Sequence, residues 1–107
     1  MVYKNCIDAC FDMAKQAQRC CYTECCCSSN GKTDCLFCSG LVCAEVCILT
    51  GRLCAAGMAD KALFDYCAYV ATQCCKDCDS SDTKHAQDVK TAALKVAETC
   101  KACSNER

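Results

Sequence analysis

The feature that most limits the fold of this chain is the spacing of its cysteines, which recur at helical intervals. Eighteen of the 107 residues are Cys. At about 100° per residue, Cys43, Cys47 and Cys54 fall on one narrow stripe of a helix. A soluble helix normally places Leu and Ile on such a stripe, whereas this one places thiols there. We therefore interpret this helix as one wall of a bundle whose interior is built to hold metal.

The length and composition of the chain favour one helical domain that spans residues 1–107. A chain of 107 residues is long enough for one core. It contains no Pro and only four Gly, so long uninterrupted helices are allowed. Thiols and Ala alone would pack a weak, narrow core. We therefore expect an additional component, such as bound metal, to fill the interior.

Four amphipathic segments separated by short polar breaks predict four helices, at about 5–27, 34–56, 60–78 and 85–103. Asn5 is the predicted N-cap of the first helix, Gly57 the C-cap of the second and Asp60 the start of the third. The tail 104–107 is predicted to fray. Because the connections are short, we predict an all-α, antiparallel, up-down-up-down four-helix bundle with a cysteine-lined core.

This topology sorts the cysteines by height along the bundle. The end that collects the close of the first helix, the start of the second and the close of the third holds ten: Cys20, Cys21, Cys25, Cys26, Cys27, Cys35, Cys38, Cys74, Cys75 and Cys78. The other half holds eight: Cys6, Cys10, Cys43, Cys47, Cys54, Cys67, Cys100 and Cys103. Cys26 points outward on the helix, and we predict all the others to be metal ligands.

Several cysteine patterns resemble one known family. They are CIDAC at 6–10, CAEVC at 43–47, the C-x6-C-x3-C run at Cys67, Cys74 and Cys78, and AETC ending at Cys100. In order and spacing they are similar to the four-helix-bundle copper storage proteins across nearly the whole chain. Members of that family line the bundle core with thiolates and bind many Cu(I) ions, often through Cys-x3-Cys pairs. The resemblance implies the fold, an intramolecular metal store and no catalysis.

The chain also departs from the family pattern. Inner positions that are typically Cys in the family are here apolar: Met13, Ala17, Ala71, Ala86, Val89, Ala93 and Val96. Other cysteines lie off the family stripe: Cys21, Cys26, Cys27, Cys35, Cys38 and Cys75. The His-rich loop of the family is reduced here to His85.

These exchanges lead us to predict stored iron–sulfur clusters as the first interpretation. Thiolates select soft ions, among them Cu(I), Zn(II) and the iron of clusters. Ala17, Ala71 and Ala93 fall in one mid-bundle zone that faces Cys43 and Cys47. Small side chains there leave room for a bulky cluster, which needs four thiolates. Counting thiols predicts up to four [4Fe–4S] clusters along the axis, held in separate compartments.

Four alternatives remain open at this point. The first is a store of multiple Cu(I) ions on Cys-x3-Cys pairs. The C-x2-C pairs Cys35/Cys38 and Cys75/Cys78 are also half-sites for one structural zinc ion. A row of clusters would conduct electrons, and a disulfide scaffold would pair the cysteines, although their helical spacing argues against it.

Other classes of function find no support in the sequence. The one His and the lack of a nucleophile–base pair argue against an enzyme. The net charge is −1 and the basic residues are scattered, which argues against nucleic-acid and membrane partners. We expect a cytoplasmic protein with reduced thiols, whose partners are metal ions or clusters and an unidentified donor or acceptor protein.

Overall fold

The computed structural model describes residues 2–23, 36–79 and 84–106, and within these ranges the side chains of residues 3–18, 40–79, 84 and 86–106. The described residues form four α-helices: α1 Val2–Thr23, α2 Leu36–Ala55, α3 Lys61–Cys78 and α4 Lys84–Asn105. This confirms the predicted all-α four-helix bundle. The predicted second-helix start at residue 34 and the predicted end of the first helix lie at or beyond the limits of the described residues.

The helices form a ring in which each one packs against two neighbours, α1 on α2 and α4, and α3 on α2 and α4. Contacts around Tyr3 establish the directions. The Tyr3 ring stacks on Phe64 at the start of α3, with ring centroids 6.3 Å apart. The Cys54 thiol near the end of α2 donates a weak hydrogen bond to the Tyr3 carbonyl at 3.9 Å. The start of α1 therefore lies beside the end of α2 and the start of α3, as the up-down order requires.

The core that the ring encloses is built from unusually small side chains. Of the described buried apolar residues, eleven are Cys and eleven are Ala, and the rest are Met13, Phe64, Val70, Val89 and Val96. Among the described side chains that are fully buried, that of Phe64 is the largest. None of the four described helices combines the length and the apolar character that crossing a bilayer requires.

The predicted caps of the connection between α2 and α3 are confirmed. Gly57 has a φ of +75°, the left-handed conformation that favours glycine. Its N–H bonds to the Cys54 carbonyl at 3.1 Å, and the next N–H, of Met58, bonds to the Leu53 carbonyl at 2.8 Å. This pair of bonds is the Schellman motif. Asp60 then caps α3, because its side chain accepts a hydrogen bond from the Leu63 N–H at 2.9 Å.

The capping role predicted for Asn5 is wrong, because α1 begins at Val2 and contains Asn5 in its first turns. The preference of Asn for caps is outweighed here by packing, since the earlier start lets Tyr3 cover the end of the core. The fraying predicted for the tail is wrong for Ser104 and Asn105, which belong to α4. Ser104 is buried, accepts a hydrogen bond from the Lys61 ammonium at 2.9 Å and donates one to Asp65.

Substitution of Gly57 tests how much the α2 cap contributes to stability. A Cβ at residue 57 would have no atom within 4 Å, so the penalty of Gly57→Ala comes only from the positive φ. We expect a loss of about 1 kcal/mol in the free energy of unfolding, measured by urea denaturation of the reduced chain. Gly57→Asn, which tolerates this conformation better, is expected to lose less. Equal stability of Gly57→Ala and the unaltered chain would contradict the assigned cap.

Candidate metal centre

The described cysteine side chains are all buried, and no disulfide joins any of them. They are Cys6, Cys10, Cys43, Cys47, Cys54, Cys67, Cys74, Cys75, Cys78, Cys100 and Cys103. All eight cysteines of the predicted eight-cysteine half are among them. The disulfide alternative therefore finds no support in this part of the chain.

The periodicity of each helix explains why so many thiols meet in the interior. Residues spaced by three, four or seven lie on one helix face, and the predicted inner positions with described side chains are all buried. On α1 and α2 they are Cys6, Cys10, Met13, Ala17, Cys43, Cys47 and Cys54. On α3 and α4 they are Phe64, Cys67, Ala71, Cys74, Cys78, Ala86, Val89, Ala93, Val96 and Cys100. The predicted inner stripes are thus confirmed for these residues.

Two groups of three thiols have sulfur atoms that all lie within 4.8 Å of one another. The end group consists of Cys6, Cys10 and Cys100, and the central group of Cys10, Cys47 and Cys67. Within the end group the Cys6 and Cys100 sulfurs are 3.6 Å apart, although 94 residues separate them in the chain. Cys10 belongs to both groups and links them.

Further thiols extend this arrangement in both directions. Beyond the end group, Cys103 interacts electrostatically with Cys6. Beyond the central group, the Cys43 and Cys47 sulfurs are 3.9 Å apart. Cys43 in turn interacts with Cys74, and Cys74 with Cys78. We call this continuous series the thiol column: Cys103, Cys6, Cys100, Cys10, Cys67, Cys47, Cys43, Cys74 and Cys78.

The column crosses the boundary that the sequence analysis drew between two separate compartments. Cys43 was assigned to the eight-cysteine half and Cys74 to the ten-cysteine end. The interaction between these two thiols joins the two halves. Thiol heights on different helices depend on the register of those helices, which a single-helix periodicity does not specify.

The close packing of thiols separates their pKa values. Hydrogen bonds from Cys10 and Cys100 lower the pKa of Cys6 to about 3. Those from Cys47 and Cys74 lower the pKa of Cys43 to about 5. Donating to Cys10 and Cys6 raises the pKa of Cys100. The close packing therefore favours the thiolate form at some sulfurs of the column and the protonated form at their neighbours.

A thiolate in the column has no positive partner inside the described part of the core. The buried polar residues there are Thr50 and Ser104, and neither bears a charge. Burying an uncompensated thiolate in an apolar interior is unfavourable. A soft cation bound by several sulfurs at once would remove this penalty and displace the shared protons.

Sequence reasoning overlooked Thr50, which lies on the inner face of α2 between Cys47 and Cys54. The side chain is fully buried and its hydroxyl donates to the Val46 carbonyl at 2.7 Å. Thr50 also lies among the side chains that interact with Cys67, whose pKa is lowered chiefly by hydrogen bonds from Cys10, Cys100 and Cys47. The spacing of three residues from Cys47 was the available signal, masked by the polar character of Thr.

The ten-cysteine end is described only in part. Cys74, Cys75 and Cys78 are buried, and the Cys75 thiol donates to the Lys90 carbonyl at 3.7 Å. The remaining predicted ligands, together with Cys26 and the side chain of His85, lie outside the described side chains: Cys20, Cys21, Cys25, Cys27, Cys35 and Cys38. The proposed zinc site that pairs Cys35/Cys38 with Cys75/Cys78 therefore stays a prediction.

Comparison with known proteins places the fold. No protein-family model matches the sequence, and neither does any curated protein sequence. Among solved structures, the Cu(I)-bound copper storage protein BsCsp3 superposes with a TM-score of 0.83 at 22% sequence identity. The match covers 97% of this chain and 99% of that protein. This chain therefore has the four-helix fold of a copper storage protein over nearly its whole length, as its cysteine patterns predicted.

Proposed function

We propose that this protein stores Cu(I) on the thiolates of its core. The observation that carries the proposal is the distance between sulfurs in the end and central groups, which lie within 4.8 Å of one another. Metal–thiolate bonds of about 2.3 Å allow two sulfurs on one ion to lie no more than about 4.6 Å apart. The groups therefore have nearly the dimensions of sites for single ions, before any adjustment on binding.

The same dimensions favour single ions over iron–sulfur clusters. In a [4Fe–4S] cluster each of the four thiolates binds a different iron atom, so the ligating sulfurs are spread around a larger body. In the end group and in the central group, by contrast, all three sulfurs lie within 4.8 Å of one another. Ala17, Ala71 and Ala93, which suggested room for a cluster, are buried as predicted, and their burial does not distinguish a cluster from single ions. The cluster prediction gains no support from the comparison.

Copper(I) also suits the groups better than zinc. Structural zinc sites are almost always four-coordinate and tetrahedral, whereas each group offers three sulfurs. Copper(I) is bound by soft thiolates and is satisfied by fewer of them. In a continuous column, one thiolate can also bridge two neighbouring ions. The column thus supports the binding of many Cu(I) ions, and BsCsp3, which has the same fold, is a copper storage protein that binds Cu(I).

The proposed role is storage, with no catalytic step. The described core contains no buried His, Asp or Glu that could act as an acid or base. Storage of Cu(I) requires reduced thiols, which is why we place the protein in the cytoplasm. The proposal includes exchange of copper with a donor or acceptor protein that the sequence does not identify.

Anaerobic titration of the reduced chain with Cu(I), in competition with a colorimetric Cu(I) chelator, tests the proposal. We expect a colourless protein that withdraws well over four equivalents of Cu(I) from the chelator. A matched control replaces the five cysteines of the end and central groups with Ala, which should remove the capacity of both groups. The competing prediction, of iron–sulfur clusters, is a brown protein with an absorption band at about 400 nm and equal amounts of iron and sulfide. That result, together with uptake of no more than four Cu(I) ions, would overturn copper storage.

A further inference from the structure

The thiol column narrows to one residue in the middle of the bundle. The central group contains three sulfurs, and the distal pair, which we define as Cys74 and Cys78, contains two. Between them the column passes through Cys43. Its sulfur is 3.9 Å from that of Cys47 on one side, and on the other side the thiol with which it interacts is that of Cys74.

The other three helices present no thiol at this height. One turn along α1 from Cys10 the inner residue is Met13, and between Cys67 and Cys74 on α3 it is Ala71. Two turns before Cys100 on α4 the inner residue is Ala93. All three are fully buried. Among the described side chains, Cys43 is therefore the thiol that connects the central group with the distal pair.

We propose that Cys43 is the thiolate through which Cu(I) ions pass between the central group and the distal pair. The proposal rests on the proposed function, because it concerns the movement of stored Cu(I). It adds that the two halves of the store exchange ions inside the bundle, and that one residue controls this exchange.

Distances explain why an ion needs this residue. Cys67 and Cys74 are seven residues apart on α3, a rise of about 10 Å. An ion held by two sulfurs spans only about 4.6 Å between them. Cys43 is fully buried, so water is not at hand to serve as a temporary ligand. An ion that leaves the central group must therefore bind a protein sulfur at the height of Cys43.

The step is a ligand exchange in which copper remains Cu(I) throughout. An ion bound to Cys47 and Cys67 forms a third bond to the Cys43 sulfur, and its bond to Cys67 then breaks. If Cys43 carries a proton, that proton moves to the departing Cys67 thiolate. A second exchange forms the bond to the Cys74 sulfur and breaks the bond to Cys47, and the Cys74 thiol proton moves to the departing Cys47 thiolate. A third forms the bond to Cys78 and breaks the bond to Cys43, which takes the Cys78 proton. Atoms and charge balance, and no oxidant or reductant is needed.

Nuclear magnetic resonance on protein loaded with half of its measured Cu(I) capacity tests the proposal. The amide signals of Cys100 and Cys78 report on the end group and the distal pair. Magnetisation exchange between the copper-bound and copper-free signals gives the rate at which ions move. Measurements at two protein concentrations separate passage within one molecule, which is independent of concentration, from transfer between molecules.

Three variants make the result specific to Cys43. Cys43→Ala should lower the concentration-independent rate at least tenfold. Met13→Leu, which removes the other sulfur at this height with little change in volume, should leave the rate unchanged. The double variant Cys43→Ala/Ala71→Cys returns a thiol to the same height from α3 and should restore the passage. Circular dichroism of each variant checks that the helices are retained.

The outcomes are decisive in each direction. An unchanged concentration-independent rate in Cys43→Ala overturns the proposal, and so does the absence of any concentration-independent exchange in the unaltered chain. Failure of Ala71→Cys to restore the exchange also contradicts it. None of these results contradicts the proposed storage of Cu(I), provided that the unaltered chain binds Cu(I). Failure to bind Cu(I) at all would instead refute the proposed function.

Discussion

Replacing Phe64 with Ala is expected to remove a large part of the stability of the metal-free protein. Phe64 is the largest fully buried side chain in a described core that otherwise consists mainly of Cys and Ala. It also supports Tyr3, whose ring stacks on it at 6.3 Å. Truncation of a buried Phe removes about 3–5 kcal/mol, while a whole domain of this size has only about 5–15 kcal/mol of stability. The neighbouring side chains are too small to fill the gap.

Thermal denaturation followed by circular dichroism measures this effect. We expect the midpoint of the reduced, metal-free Phe64→Ala chain to fall by at least about 12 °C, at about 4 °C for each kcal/mol. Tyr69→Ala on the same helix is the matched control, because Tyr69 is 59% exposed and its loss should shift the midpoint little. An equal shift in both variants would show that Phe64 does not contribute more to the stability of the fold than an exposed residue does.

Loading with Cu(I) should restore much of what Phe64→Ala loses. A ligand that binds the folded chain more tightly than the unfolded chain stabilises the fold by mass action. Unfolded cysteines also bind Cu(I), so the restoration is expected to be partial. If Cu(I) left the midpoint of the variant unchanged, the core thiols would not bind the metal as a folded set.

The features that the sequence could predict are those that one helix determines alone. Periodicity identified the inner stripes, so residues as unlike as Phe64, Cys67 and Ala71 were assigned to one buried face of α3. Local capping chemistry identified Gly57 and Asp60. The error at Asn5 shows the limit of such signals, because packing of Tyr3 extended α1 beyond a residue that favours caps.

The grouping of the thiols could not be predicted in the same way. Cys6 and Cys100 meet across 94 residues because of the register between α1 and α4. That register depends on loop lengths and on packing between helices, and the periodicity of a single helix contains no information about either. The sequence could therefore count thiols and estimate empty space, which led to clusters, but could not show that the sulfurs converge in threes. Distances between sulfurs, rather than their number, favour single Cu(I) ions.

The variant Cys10→Ala is expected to weaken two sites at once. Cys10 is shared by the end group and the central group. Its loss leaves two sulfurs in each, Cys6 with Cys100 and Cys47 with Cys67. We expect the Cu(I) capacity measured against a strong chelator to fall by about two ions, one for each group that loses a soft ligand. The physical reason is that each two-sulfur group binds Cu(I) at least about tenfold more weakly, since even loss of an outer-shell partner costs that much, so the chelator withdraws its ion.

Cys54→Ala provides the matched control for this shared role. Cys54 is also a buried thiol on an inner stripe, but it belongs to neither group of three. Both substitutions remove one small buried side chain, so their effects on the stability of the metal-free chain should be similar. The capacity lost should therefore differ while the stability lost does not. Equal losses of capacity in the two variants would mean that the thiols bind copper independently, and that the two groups do not share Cys10.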